Sequence, residues 1–147
     1  AVVDYAHSPD ALENVLSTIH EVQRKDQNLI TLVGAGGDRD RTKRPRMTKI
    51  ALKYSTKVVL TSDNPRTEDP EKILEEMRKG ITQEEAGKVV SITNRKEAIR
   101  AACMLAKSGD IIFVAGKGHE TYQEIQGKRY HFDDREVIKE VFETIKK

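Results

Sequence analysis

The sequence has one cysteine, four prolines, no tryptophan and few aromatic residues, which make up 5% of its 147 positions. The single cysteine, Cys103, excludes an internal disulfide and any zinc site built from several cysteines. No apolar run approaches the roughly 20 residues that cross a bilayer, and no signal peptide opens the chain. We therefore expect a cytoplasmic protein with no membrane partner.

An excess of charge of one sign is also missing. Lysine and arginine together number 26 and aspartate and glutamate 24, so the net charge is +2. A dedicated nucleic-acid-binding domain usually carries a strongly basic face, so we expect no nucleic-acid partner.

The length of the chain favours a single domain over residues 1–147, large enough to bury roughly 70% of the surface that the unfolded chain exposes. The sequence starts at Ala1 without methionine and continues at once into an apolar run. We expect that residues 1–147 are one domain of a longer protein.

Short β-branched runs alternate with amphipathic stretches along the whole chain. The pattern predicts strands over 2–4, 28–33, 57–60, 89–92 and 110–115, and helices from Pro9, over 45–54, from Pro70, over 95–106 and at the C-terminal end. Strands separated by helices indicate an α/β fold, a doubly wound, Rossmann-like and mostly parallel sheet with helices on both faces. A small C-terminal hairpin is predicted around residues 126–128.

The spacing of apolar residues predicts which side of each helix is buried. On the first helix the expected inward residues run from Leu12 to Val22, and on the helix over 95–106 they include Leu105. Cys103, on that same helix, is expected to be a buried packing residue.

Three unusual loops each follow a predicted strand, at residues 34–44, 62–69 and 116–120. Ligands of doubly wound sheets bind beyond the carboxyl ends of the strands. If the strands are parallel, the three loops share one edge, and this is the strongest functional signal of the pattern.

The first loop reads GAGGDRD over 34–40 and invites a nucleotide-binding interpretation. The dinucleotide motif G-x-G-x-x-G lacks its third glycine because Arg39 stands there, and neither glycine loop supplies the spacing of a P-loop. Two interpretations of the loop remain. It is either a glycine-lined turn whose backbone a ligand can approach closely, or an ordinary solvated basic loop. Its basic residues are Arg39, Arg41, Lys43 and Arg44.

The second loop contains Asp63-Asn64-Pro65-Arg66, which in isolation is an ordinary turn sequence. The same residue types are also suited to binding an amino acid. A guanidinium group pairs with the ligand's carboxylate, and a carboxylate pairs with its ammonium. Arg39 and Arg66 would supply the guanidinium groups, and Asp63 and Glu120 the carboxylates.

His7 and His119 each follow a predicted strand, but a lone histidine is more often structural than catalytic. Asp4 and His7 alone are weak grounds for a metal site, and no nucleophile motif such as G-x-S-x-G is present. We assign no catalytic residue and no metal ligand within residues 1–147.

Five stretches together carry a resemblance to a known family: VVDYAHSPDAL at 2–12, GAGGDRDRTKRP at 34–45, TSDNPRTEDP at 61–70, VAGKGHETYQ at 114–123 and FDDRE at 132–136. In this order they resemble the C-terminal domain of the Mur ligases, the amide-bond-forming enzymes of peptidoglycan assembly. Within the family the sequence is similar to the MurE type, the UDP-N-acetylmuramoyl-tripeptide synthetases.

The resemblance implies a function and a set of site residues. MurE-type ligases use ATP and Mg²⁺ to add a diamino acid to UDP-MurNAc-L-Ala-D-Glu through an acyl phosphate. A D-N-P-R loop usually accompanies meso-diaminopimelate, so Asp63, Asn64, Pro65 and Arg66 would bind this substrate. The family's pattern adds Arg39, Gly116 and Glu120 to the same site, and places Asp4 near the ATP ribose and Lys43 and His7 near the phosphates or the acyl phosphate.

The resemblance also implies that the main ATP, Mg²⁺ and UDP sites lie in N-terminal and central domains, the expected partners of this one. The isolated chain is therefore predicted to be inactive as a ligase. Alternatives are a lysine-adding MurE, a folylpolyglutamate or cyanophycin synthetase domain, and a non-catalytic small-molecule-binding module.

Overall fold

The computed structural model describes residues 1–145. The main sheet is built from β1 (Val2–Asp4), β2 (Leu29–Ala35), β3 (Lys57–Ser62), β4 (Val89–Ser91) and β5 (Ile111–Ala115). The helices are α1 (Pro9–Val22), α2 (Lys43–Tyr54), α3 (Pro70–Arg78), α4 (Arg95–Leu105) and α5 (Asp134–Ile145), with a 3₁₀ turn over Gln83–Lys88. Strands β6 (Tyr122–Ile125) and β7 (Lys128–His131) form a separate hairpin.

All neighbouring strands of the five-stranded sheet are parallel, in the order β1-β5-β2-β3-β4. The hairpin β6-β7 is antiparallel, with its turn at residues 126–127. The predicted α/β class, the parallel sheet and the C-terminal hairpin are confirmed.

Helices cover both faces of the sheet because residues of the central strands alternate in direction. Leu29 and Val33 of β2 pack with α1, α2 and α3 in one core cluster. Ile30 and Leu32 of the same strand pack with α4 and α5 in the other. The period of two along a strand that is buried on both faces explains why Leu29, Ile30, Leu32 and Val33 are all apolar and buried.

Helices α1 and α3 begin at Pro9 and Pro70, as predicted. The Ser8 hydroxyl accepts a hydrogen bond from the Ala11 amide at 3.2 Å, and Pro9 occupies the first turn of α1. Asp69 caps α3 in the same way, ahead of Pro70. Helix α2 instead begins at Lys43, two residues before its predicted start, and Pro45 lies within its first turn, where no amide hydrogen bond is lost.

Two predicted core residues are solvent-exposed, Val22 by 75% and Leu105 by 42%. Each stands at the C-terminal end of its helix. Periodicity gives the angle of a residue around the helix axis but not how far along the axis the neighbouring elements extend. Cys103, by contrast, is fully buried, as predicted.

None of the helices within residues 1–145 is long and apolar enough to cross a membrane.

Candidate functional site

A pocket of about 370 Å³ opens at the carboxyl edge of the sheet, where the loops after β1, β2, β3 and β5 meet. Eight of the ten predicted site residues line it: His7, Arg39, Lys43, Asp63, Asn64, Arg66, Gly116 and Glu120. Tyr5, the backbone of residues 34–36, Asp40, Arg44 and Met47 complete its wall. The three loops that follow parallel strands therefore do converge, as the sequence predicted.

Pro65 does not line this pocket, but it fixes how the two largest loops pack. A Cβ atom on Gly37 would lie 1.8 Å from the Pro65 carbonyl oxygen, and the Gly37 amide donates to the Asn64 carbonyl at 2.8 Å. The glycine loop and the D-N-P-R loop thus touch backbone to backbone, which is the close approach that glycine permits.

Beneath the pocket lies Lys117, whose side chain is fully buried and which we did not assign to the site from the sequence. Its Nζ donates to Asn64 Oδ1 at 2.7 Å and to the Tyr122 carbonyl at 2.9 Å. Asp63 Oδ1 lies 3.2 Å away and Glu120 Oε1 3.9 Å away. Burial lowers the pKa of the Lys117 ammonium, while the Asp63 carboxylate acts in the opposite direction.

Lys117 stands inside the quoted stretch VAGKGHETYQ, so its position was visible but its burial was not. A lysine between two glycines suggests a solvated loop. Its neighbourhood depends on residues more than 50 positions away and on the hairpin.

The two carboxylates predicted to receive an ammonium, Asp63 and Glu120, line the same pocket as Gly116. Gly116 has φ +114°, and a Cβ on it would lie 2.8 Å from Asp63 Oδ2. The Tyr5 hydroxyl donates to Glu120 Oε2 at 3.3 Å, and Glu120 raises the pKa of that phenol. Gly116 therefore leaves room for the Asp63 carboxylate beside the pocket.

Arg66 joins the D-N-P-R loop to the hairpin. Its amide donates to the Glu124 carbonyl at 3.0 Å, and its carbonyl accepts from the Gln126 amide at 2.7 Å. Its guanidinium donates to the Gly37 carbonyl at 3.0 Å and lies 3.6 Å from the Glu124 carboxylate. With φ +53°, Arg66 adopts a left-handed conformation that these bonds hold in place.

Arg44, one of the four basic residues of the first loop, has a structural role. It is 1% exposed and pairs with the carboxylates of Glu68 and Glu76, both at 2.6 Å, while it donates to the Gly36 carbonyl at 3.1 Å. The Arg44 hydrogen bonds lower the pKa of Glu68 to about 2. Arg41 pairs with the same two glutamates.

Arg39, Lys43 and His7 lie at the exposed rim of the pocket. Arg39 Nη1 donates to the Asp38 carbonyl at 3.0 Å, and His7 Nδ1 lies 2.8 Å from the Tyr5 carbonyl oxygen. The Tyr5 ring has its centroid 4.6 Å from that of His7 and 6.2 Å from that of His119.

Asp4 lies outside the main pocket and borders a smaller cavity of about 350 Å³ with Tyr5, His119 and Arg135. Its Oδ1 accepts a hydrogen bond from the Ala6 amide at 3.0 Å, which shapes the loop after β1. The predicted role of Asp4 toward a nucleotide ribose stays a prediction.

A buried ion pair supports the site from behind. Arg95, on α4, binds the Asp134 carboxylate of α5 through Nε at 2.8 Å and Nη2 at 2.7 Å, and both side chains are fully buried. The same guanidinium donates to the carbonyls of Ser62 at 3.0 Å and Ala115 at 3.3 Å. It thereby anchors the last residues of β3 and β5, directly before Asp63 and Gly116.

Within residues 1–145 no three histidine, cysteine, aspartate or glutamate side chains are grouped so that they could hold a metal ion.

Fold and pocket together define the class: a Rossmann-like α/β domain with a charged pocket at the carboxyl edge of its sheet. The sequence profile described as "Mur ligase, glutamate ligase domain" matches residues 1–118. The chain belongs to this Mur ligase family.

Similar proteins cover nearly the whole chain. UDP-N-acetylmuramoyl-L-alanyl-D-glutamate--2,6-diaminopimelate ligase of Phocaeicola vulgatus is 60% identical over 142 residues, 97% of this chain and 29% of that protein. The ligase of the same name from Aquifex aeolicus is 51% identical over 140 residues, 95% of this chain and 28% of that protein. The chain thus spans less than a third of the length of these curated relatives.

Solved structures share the fold of this chain. A structure of a UDP-N-acetylmuramoyl-L-alanyl-D-glutamate--2,6-diaminopimelate ligase superposes with a TM-score of 0.90 at 47% identity, covering 99% of this chain and 29% of that one. Escherichia coli FolC in complex with ADP has a TM-score of 0.57 at 20% identity, covering 98% of this chain and 28% of that one. The second likeness concerns the fold alone.

Proposed function

We propose that residues 1–147 form the amino-acid-binding, C-terminal domain of an ATP-dependent ligase that adds meso-diaminopimelate to UDP-MurNAc-L-Ala-D-Glu in the cytoplasm. One observation carries the proposal. Two guanidinium groups, Arg39 and Arg66, and two carboxylates, Asp63 and Glu120, line one pocket at the carboxyl edge of the sheet. The names of the relatives, which are 2,6-diaminopimelate ligases, support this choice of substrate.

The pocket's charges match one end of a diamino dicarboxylic acid. A carboxylate of the ligand would take the planar donors of Arg66 and Arg39, and the adjacent ammonium would lie against Asp63 and Glu120. Asn64 and Pro65 hold the loop in which Arg66 stands, and Gly116 leaves room for the Asp63 carboxylate. L-Lysine has an ammonium but no carboxylate at its distal end, so it would leave the guanidinium groups unpaired.

The domain would position an amine rather than carry out the phosphoryl chemistry. In the proposed reaction ATP activates the D-glutamyl carboxylate as an acyl phosphate, and the amine of the amino acid displaces phosphate to form the amide. Holding the amine next to the activated carboxylate is a proximity effect. We propose that Lys43 and His7, at the exposed rim, face the phosphates, and that Asp4 lies near the ribose.

No described residues are grouped for a metal ion, so we propose that Mg²⁺ and most of ATP are held by other domains of the same protein. Those domains and the UDP-linked dipeptide are then the partners of this one. The isolated chain should release no phosphate from ATP in the presence of both substrates, and measurable release would contradict the proposal.

The substrate assignment can be tested by calorimetry on the full-length ligase. We expect meso-diaminopimelate to bind and L-lysine and D-lysine to bind far more weakly. Arg66→Ala should lower the affinity for meso-diaminopimelate by about 10- to 100-fold, since it removes a charge-assisted pair. The matched control is Arg100→Ala, because Arg100 is exposed on α4, away from the pocket.

Tight lysine binding that does not depend on Arg66 would contradict the assignment and favour a lysine-adding enzyme. Failure of any amino acid to bind would favour another ligase of the superfamily or a non-catalytic module.

A further inference from the structure

The side chain that the proposed function leaves unexplained is Lys117. It is fully buried at the base of the pocket, yet it is not among the groups that line the pocket. Burying an ammonium group costs free energy unless neighbouring groups compensate its charge. The groups around Lys117 therefore indicate its role.

Lys117 connects three separate segments. It donates to Asn64 Oδ1 in the loop after β3 and to the Tyr122 carbonyl at the start of the hairpin, and it stands on the loop after β5. Asn64 Oδ1 also accepts from the Glu124 amide at 2.9 Å. Both hydrogen bonds that the Lys117 ammonium donates therefore go to oxygens of uncharged groups. Its positive charge is balanced instead by nearby carboxylates.

Those carboxylates are Asp63, at 3.2 Å, and Glu120, at 3.9 Å, with side chains 10% and 18% exposed. Three other groups act on the cluster. Arg95 is neutralised by its ion pair with Asp134, the Tyr5 hydroxyl donates to Glu120, and the Tyr122 ring lies 5.8 Å from Nζ. The sum over Asp63, Glu120 and Lys117 is −1, because two carboxylates face one internal ammonium.

We propose that Lys117 is a positioning residue that sets the charge of the ammonium-binding side of the pocket. Its ammonium holds Asp63 and Glu120 in place and leaves the pair with a single net negative charge, which one ammonium of the ligand completes to zero. This inference rests on the proposed function, because it takes the ligand to be an amino acid whose ammonium meets Asp63 and Glu120.

The charge of the cluster should also set how binding responds to acid. If the internal ammonium is removed, Asp63 and Glu120 share the site with no cation between them, and like charges that share a buried space disfavour ionisation. A variant without that ammonium should therefore lose affinity for the ligand's ammonium at a higher pH than the wild type when the solution is acidified.

Calorimetry over a range of pH measures this difference. The full-length ligase would be titrated with meso-diaminopimelate from neutral to acidic pH, and the affinity of Lys117→Met should fall at a higher pH than that of the wild type. Lys72→Met is the matched control, because Lys72 is exposed on α3 and its loss should leave the pH dependence unchanged.

A second variant, Asn64→Asp, tests the same proposal if the Lys117→Met protein does not fold. Asn64→Asp retains the shape of the side chain and both donors to Oδ1, but it adds a negative charge next to Lys117 and brings the cluster to −2. The affinity of Asn64→Asp should likewise fall at a higher pH than that of the wild type when the solution is acidified.

The outcomes separate the two proposals. If the wild type does not bind meso-diaminopimelate, the proposed function fails. If the wild type binds it but Lys117→Met and Asn64→Asp show the same pH dependence as the wild type, the charge-setting role of Lys117 is refuted while the proposed function stands.

Discussion

Removing one partner of the buried pair Arg95–Asp134 should destabilise this domain more than removing one partner of a surface ion pair. Asp134→Ala removes the acceptor of two charge-assisted hydrogen bonds, at 2.8 and 2.7 Å, and leaves the Arg95 guanidinium fully buried. An uncompensated buried charge destabilises by about 3–5 kcal/mol. For a domain of this size that corresponds to a fall of roughly 10 °C in Tm.

The measurement is urea unfolding of the 147-residue chain followed by circular dichroism, with Asp26→Ala as control. Asp26 pairs with Arg24 at 3.3 Å, but both side chains are more than 60% exposed, so its loss should leave the unfolding midpoint unchanged. The double variant Arg95→Met/Asp134→Leu removes both charges and should recover much of the loss. Recovery stays incomplete, because the carbonyls of Ser62 and Ala115 lose their donor.

Two results would refute the reasoning. One is a loss below about 1 kcal/mol in Asp134→Ala, which would mean that water solvates Arg95 in place of the carboxylate. The other is a double variant as unstable as the single one, which would mean that packing rather than charge is decisive.

Further predictions concern the glycine and glutamate residues around the pocket. Gly116→Ala should abolish binding of the amino acid, because it combines φ +114° with a Cβ 2.8 Å from Asp63 Oδ2. Gly127→Ala is its control in calorimetry, since φ is +77° but nothing lies within 4 Å, and unchanged binding in both variants would contradict the steric argument. The ion pair with Arg44 lowers the pKa of Glu68 to about 2, below its ordinary value of 4.5, so its contribution to stability is complete above that value and is lost as the pH falls toward 2. Unfolding curves should show the wild type more stable than Glu68→Gln by about 1–2 kcal/mol near neutral pH, a figure reduced for partial exposure, with the gap closing in acid. A gap that does not depend on pH would show that the carboxylate charge is not what stabilises the loops.

The site was predictable to the extent that parallel strands bring their carboxyl ends to one edge. The loops that contain Arg39, Asp63 and Glu120 were placed together on that principle, and the structure brings them into one pocket. Arg44 and Lys117 could not be assigned in this way. Both are basic residues in or next to glycine-rich loops, and only their burial, at 1% and 0% exposure, shows that they balance carboxylates inside the domain.

The sequence by itself determined the α/β class, the helix caps at Ser8 and Asp69 and the set of loops at the edge of the sheet. These follow from periodicity and from hydrogen bonds between residues a few positions apart. The tertiary structure alone decided how the hairpin docks onto Arg66, how Arg95 anchors two strands, and which cations are buried. Those features depend on contacts between residues 20 to 60 positions apart, whose geometry exists only once the chain is folded.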